Sequence, residues 1–154
     1  MSETIEARLR SMGIELPSAA SPAANYVPYL VADGQLFVSG QLPMTSDGIA
    51  FTGKLGATKD IAEGKRAARL CAVNIFAQAK SALGDLERIK QIVRITGYVN
   101  ATPDFVDHPA VINGASDFIV EALGHRGRHT RVAIGSVSLP FDATVEIDAV
   151  ITVA

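Results

Sequence analysis

The sequence predicts an α+β fold, a two-layer domain in which two helices cover one face of a mixed sheet. Three observations predict it. The segments run in the order hairpin, long helix, strand, helix, and two paired strands joined at Leu139-Pro140-Phe141-Asp142. Both longer helices carry one apolar stripe. The last strand alternates, so that Val145, Ile147, Ala149, Ile151 and Val153 face one way, toward those helices. With 154 residues, 48% of them hydrophobic and 19% charged, one domain with a sizeable core is expected and disorder is not.

Each element has its own signals. Ser2 to Met12 has helical spacing in Ile5, Leu9 and Met12, with Ser2 placed to cap and Gly13 to end it. Pro17 to Asn25 is a loop by composition. Two strands between Tyr26 and Val38 flank Asp33-Gly34, a two-residue hairpin signal. Turn residues fill Met44 to Ala57, with a short strand near Ile49 to Phe51. A helix follows from about Asp60 to Ala82. Asp60 with Glu63 starts it, Gly84 closes it, and Ile61, Ala68, Cys71, Ile75 and Ala79 form its buried stripe. Ile89 to Asn100 reads as a strand with Val93, Ile95, Gly97 and Val99 on one face. Asp107-His108-Pro109 opens the second long helix, whose stripe is Val111, Ala115, Phe118, Ile119 and Ala122 and whose end is Gly124.

In the last strand Thr144, Glu146, Asp148, Val150 and Thr152 are left on a face with no helix to cover it. With Val150 and Tyr98 on that face, a homo-oligomer is expected. The net charge of -2 gives no global reason to expect nucleic-acid binding. The lone cysteine, Cys71, excludes an intrachain disulfide, and its place in a helical stripe points to a packed thiol. His108, His125 and His129 lack the spacing of a zinc pair, so neither metal nor cofactor is expected. No signal peptide or spanning segment is seen, and a cytoplasmic protein without membrane partners is the expectation.

Candidate chemistry concentrates between His129 and Val153. Alternation puts Arg131, Ala133, Gly135 and Val137 on one face, so two small residues follow a guanidinium at a strand start. Such a guanidinium can grip a carboxylate through two parallel hydrogen bonds; a surface salt bridge is the alternative. Glu146 suits a general base or water-orienting group, or equally a surface carboxylate. The strand exit at Ser39-Gly40 can present a hydroxyl and a backbone N–H to a ligand, or simply end the strand. GHRGRH, Gly124 to His129, is either a solvated loop or, with Arg126, Arg128 and Arg131, an anion site.

The tail RVAIGSVSLPFDATVEIDA resembles the pattern R-x-x-x-x-x-x-x-L-P-x-x-x-x-[IV]-E-[IV]-x-A of the RidA family, also called YjgF or L-PSP endoribonuclease-like. VSGQLP, Val38 to Pro43, resembles that family's T-S-G-Q-[IL]-P, and Tyr26 stands where the family has a pocket tyrosine. The resemblance spans residues 23–154, with residues 1–22 as an N-terminal helix and loop extension. It implies a chorismate-mutase-like fold and a homotrimer with ligand sites in the clefts between subunits. It further implies hydrolytic deamination of small imines and enamines, such as 2-aminoacrylate, to 2-keto acids and ammonia. Arg131 would then hold the substrate carboxylate and Glu146 the catalytic water. Tyr26, Ser39, Gly40 and Asn113 would line the pocket. Ala133 stands where typical deaminases have cysteine, and the segment DHPAVINGASD also departs from the usual pattern, which marks a divergent branch.

Two other functions compete with deamination. A non-catalytic binding protein for small carboxylates is favoured by Ala133. A ribonuclease is suggested by the family's older name, against the charge balance and the lack of an aromatic stacking platform. Chorismate mutase activity has only the shared fold behind it.

Overall fold

Asp33 and Gly34 take φ of 50° and 72°, the left-handed pair that a two-residue hairpin turn demands. In the computed structural model, which describes residues 2–21 and 24–154, this turn joins β1 (Tyr29–Ala32) antiparallel to β2 (Gln35–Gln41). A small hairpin follows, β3 (Met44–Thr45) and β4 (Gly48–Ile49). Next is α2 (Ile61–Leu83), named after an earlier α1 (Ile5–Ser11). A capping box opens α2: the Glu63 N–H donates to Asp60 at 2.8 Å, and the Asp60 N–H donates to Glu63 at 3.3 Å. Then come β5 (Ile89–Asn100), α3 (His108–Leu123), β6 (Thr130–Ser136) and β7 (Val145–Val153).

The five-stranded sheet has the order β1-β2-β7-β5-β6. The α+β architecture is as expected, with α2 and α3 on one face. Between helices and sheet lies the core, in which Ala68, Cys71, Phe76, Ile112, Phe118, Ile95, Ile147 and Ile151 are all essentially inaccessible. The helices lie close because glycines permit it. A Cβ on Gly114 would stand 2.2 Å from the Lys65 carbonyl oxygen of α2, and one on Gly97 would stand 2.5 Å from Ile112. Cys71 is a packed thiol, its pKa pushed up chiefly by burial.

Several expectations need correcting. The two C-terminal strands are not neighbours: β5 lies between them, antiparallel to β7 and parallel to β6. The reason is connectivity, since α3 carries the chain from β5 back to lay β6 alongside it as a crossover unit. In β5 the register shifts between Ile92 and Arg94, so Ile92 rather than Val93 is buried. Thr144 is fully buried rather than on the open face; its N–H donates to the Phe51 carbonyl at 3.1 Å, ahead of the strand proper. The first helix is capped by Thr4, not Ser2, through a 3.1 Å bond from the Ala7 N–H. Ile5 and Leu9 on that helix belong to the same core. The boundary drawn between Pro22 and Ala23 falls on residues outside those described.

None of the described residues covers the far face of the sheet in the single chain. Leu30, Phe37 and Ile134 are there, each more than two-fifths exposed, with Val150 and Tyr98 between them in register. No helix among the described residues is long and apolar enough to cross a membrane.

Candidate functional site

Glu146 projects from β7 on this open face, opposite Tyr98 of β5. Across the other edge of β7 the pairing of β2 shifts between Val38 and Gln41. The Glu146 carboxylate lies over the backbone at this irregularity: a Cβ on Gly40 would come within 2.3 Å of Oε2. Gly40 thus makes room for the carboxylate rather than for a turn. Beside it the Ser39 hydroxyl donates to the Val27 carbonyl at 2.8 Å, which leaves its oxygen lone pairs for a ligand. Tyr26, Ser39, Gly40 and Glu146 border one cavity of about 460 Å³, together with Phe141 and Ala20.

Phe141 owes its position to a strained turn. It and Asp142 are non-glycine residues at φ of 57° and 59°, a conformation that a surrounding network must enforce. Asn100, fully buried, donates to Asp142 Oδ1 at 3.0 Å and to the Ala143 carbonyl at 3.1 Å, and accepts from Lys54 Nζ at 2.7 Å. The Gly53 N–H adds a 2.9 Å bond to the Asp142 carbonyl. Held this way, Phe141 is 72% exposed and walls the cavity. An aromatic side chain directly after Leu-Pro is the sequence signal for it.

The Glu146 carboxyl has no hydrogen-bond partner among the described residues. Burial raises its pKa above the ordinary glutamate value, and the negative charge of Asp148 on the same face raises it further. Such a group can accept a proton from water and return it nearer neutral pH than a free glutamate can.

Arg131 is elsewhere. It pairs in register with Ile95, which pairs with Ala149, and both of these are buried under the helices. Arg131 therefore emerges on the helix side of the sheet and Glu146 on the open side. Its Nη1 donates to Ser116 Oγ at 3.1 Å and its Nη2 to the Pro109 carbonyl at 3.4 Å, both on α3. With Asn113, Ser116 and His129 it borders a shallow cleft of about 300 Å³. Ala133 packs against the core. Beyond it, the side-chain position at Gly135 is taken by the His108 ring, 2.5 Å from where a Cβ would be, and these two residues border a separate cavity of about 330 Å³.

The structure thus gathers Tyr26, Ser39, Gly40 and Glu146 at one cavity, and Arg131 and Asn113 at another. Ser116, one helical turn after Asn113, is new to the site, and His129, which closes the GHRGRH stretch weighed as an anion site, alternates with Arg131. The cationic loop divides: Arg126 is tied to the Ile89 carbonyl at 3.0 Å and to Glu87 at 3.2 Å, whereas Arg128 borders the same cleft as Arg131. No cluster of three or more potential metal ligands occurs among the described residues.

A family model described as "YjgF/chorismate_mutase-like, putative endoribonuclease" matches residues 6–150. The chain belongs to the YjgF/chorismate-mutase-like family. Protein TCP17 of Trypanosoma cruzi is 47% identical over 148 residues, 96% of this chain and 92% of that protein. Among solved structures, Atu1372 of Agrobacterium tumefaciens, a protein of unknown function, is 51% identical with a TM-score of 0.92. That match covers 97% of this chain and 92% of that one. A Shewanella oneidensis structure under the endoribonuclease label is 37% identical with a TM-score of 0.95, over 98% of this chain and all of that one. The resemblance first read at Arg131 to Ala149 and at Val38 to Pro43 is borne out, as is the YjgF-type fold.

Proposed function

We propose that this YjgF-family chain is a hydrolytic deaminase for small carboxylate-bearing imines and enamines, working as a homotrimer. The observation that carries the reading is the half-buried Glu146 carboxylate, pressed over Gly40 without a hydrogen-bond partner among the described residues and with a raised pKa. Arg131 is the carboxylate grip, and because it emerges on the other side of the sheet, the complete site pairs the Arg131 cleft of one subunit with the Glu146 cavity of the next. This arrangement also gives the apolar open face a partner.

The chemistry follows from those two groups. 2-Aminoacrylate tautomerises to its imine, whose carboxylate binds Arg131. Water held by Glu146 adds to the imine carbon, its proton passing to the carboxylate. The nitrogen takes that proton to give the carbinolamine, whose hydroxyl proton Glu146 then carries to the nitrogen as the C–N bond breaks, releasing ammonia and leaving pyruvate. Ser39 and Tyr26 order the water and substrate, and orientation within a partly dry cavity supplies much of the rate. The test follows loss of enzymatically generated 2-aminoacrylate: Arg131→Ala and Glu146→Gln should each fall well below wild type. Wild-type rates in Arg131→Ala would sink the mechanism.

A second reading, a carboxylate-binding protein without turnover, is favoured by Ala133 in place of the deaminases' cysteine. Calorimetry separates the two: saturable, Arg131-dependent binding of 2-oxobutanoate or benzoate, with no imine hydrolysis, identifies a binder. The ribonuclease reading loses support because Arg126 is engaged internally.

A further inference from the structure

We propose that Ser116 and His129 are positioning residues that fix the rotamer of Arg131 through a directional hydrogen-bond chain ending at the Gly127 carbonyl. This inference rests on the carboxylate-grip reading of Arg131 and deepens it. The direction of the chain follows from donor and acceptor chemistry. His129 Nδ1 lies 2.6 Å from the Gly127 carbonyl oxygen, which can only accept, so Nδ1 carries the proton. In the neutral ring Nε2 is then an acceptor. Ser116 Oγ lies 2.8 Å from Nε2 and must donate to it. Its lone pairs are thereby turned toward Arg131 Nη1, 3.1 Å away, which donates. With Nη2 donating to Pro109, the guanidinium is held at both Nη atoms while Nε–H and one N–H on each Nη are left to form a fork for a carboxylate.

The backbone around the chain is built to close tolerances. Gly127 approaches α3 so closely that a Cβ would meet the Ile119 carbonyl oxygen at 2.6 Å, and this contact sets where the Gly127 carbonyl points. Gly114 presses α3 onto α2 between Asn113 and Ser116. The terminal Gly127 carbonyl and the stretch of α3 that carries Ser116 are therefore seated by backbone contacts rather than by mobile side chains. Guanidinium to hydroxyl to imidazole to carbonyl, each link faces one donor with one acceptor.

The experiment uses the full-length protein and its Ser116→Ala, Ser116→Thr, His129→Ala and Arg131→Ala variants. Nitrogen-15 NMR of the arginine side chains needs no ligand. Hindered rotation of the Arg131 guanidinium in wild type should be lost in Ser116→Ala and regained in Ser116→Thr, with thermal melts confirming that each variant is folded. In calorimetry, Ser116→Ala should weaken 2-oxobutanoate binding roughly tenfold, and His129→Ala less. In the imine assay KM should rise with kcat little changed for a carboxylate substrate, and neither should move for its carboxamide analogue. Unchanged Arg131 rotation in Ser116→Ala, or a wild-type His129 protonated at Nε2 alone, overturns the proposal. If Arg131→Ala itself binds and turns over like wild type, the carboxylate grip fails instead, a distinguishable result.

Discussion

Gly40 and Glu146 show how one atom decides the use of a pocket. Adding a methyl group at Gly40 would leave the fold able to respond, because what it meets is the end of a flexible side chain, but the carboxylate would be driven off its seat. Gly40→Ala should therefore melt close to wild type while losing most imine-hydrolysing activity, checked by calorimetric melting beside the kinetic assay. Glu146 also makes a pH-dependent contribution to stability. Its pKa is raised on folding by burial and by Asp148, so the native state prefers the protonated form. The stabilisation is full below the unfolded pKa and is lost as pH rises through the folded value. Glu146→Gln should accordingly gain stability over wild type at neutral pH, and the gain should shrink in acid, as urea titrations at pH 4 and 7 would read. Arg131, Glu146, Ser39 and Gly40 could be singled out from the sequence because family spacing marks them. What Gly40 touches could not, since the contact joins strands far apart in the chain. The link from His129 to Ser116 was hidden likewise, because it runs between a helix and the start of a strand.

Elements announced themselves where the signal is local. Asp60 with Glu63, Pro109 after Asp107, and the turn at Asp33-Gly34 each state a backbone geometry within a few residues, and the helices and hairpin lie where those signals put them. Strand neighbours are a different matter. Alternation tells which face a residue occupies but not which strand lies beside it, so β6 was paired with β7 when it belongs beside β5. The helix crossing was equally illegible, because Gly114 reads as a helix weakness until the Lys65 carbonyl is seen against it. Here the obstacle to a side chain is backbone, which cannot step aside. Gly114→Ala should cost about 1–3 kcal/mol through forced separation of the helices, measured by equilibrium unfolding in urea, and should disturb the Arg131 cleft as well.

At the scale of the molecule, the two faces of the sheet have different tasks. The helix side closes the core and carries Arg131; the open side carries Glu146 among exposed Leu30, Phe37 and Ile134. Ile134→Glu should reduce the proposed trimer to smaller species in sedimentation velocity without unfolding the chain. Reconstitution offers a sharper test. Arg131→Ala and Glu146→Gln subunits, each inactive alone, should recover part of the wild-type rate when unfolded and refolded together, since some junctions then hold one intact group from each. No such recovery should follow from mixing either variant with itself. In the proposed trimer the opposed placement of the two groups would also set how output scales with amount. Doubling the quantity of folded chain would more than double turnover wherever copies are scarce enough to come apart, and dilution would switch the reaction off by mass action while leaving every chain intact. A compound that wedged copies apart at the open face would then inhibit without resembling any substrate.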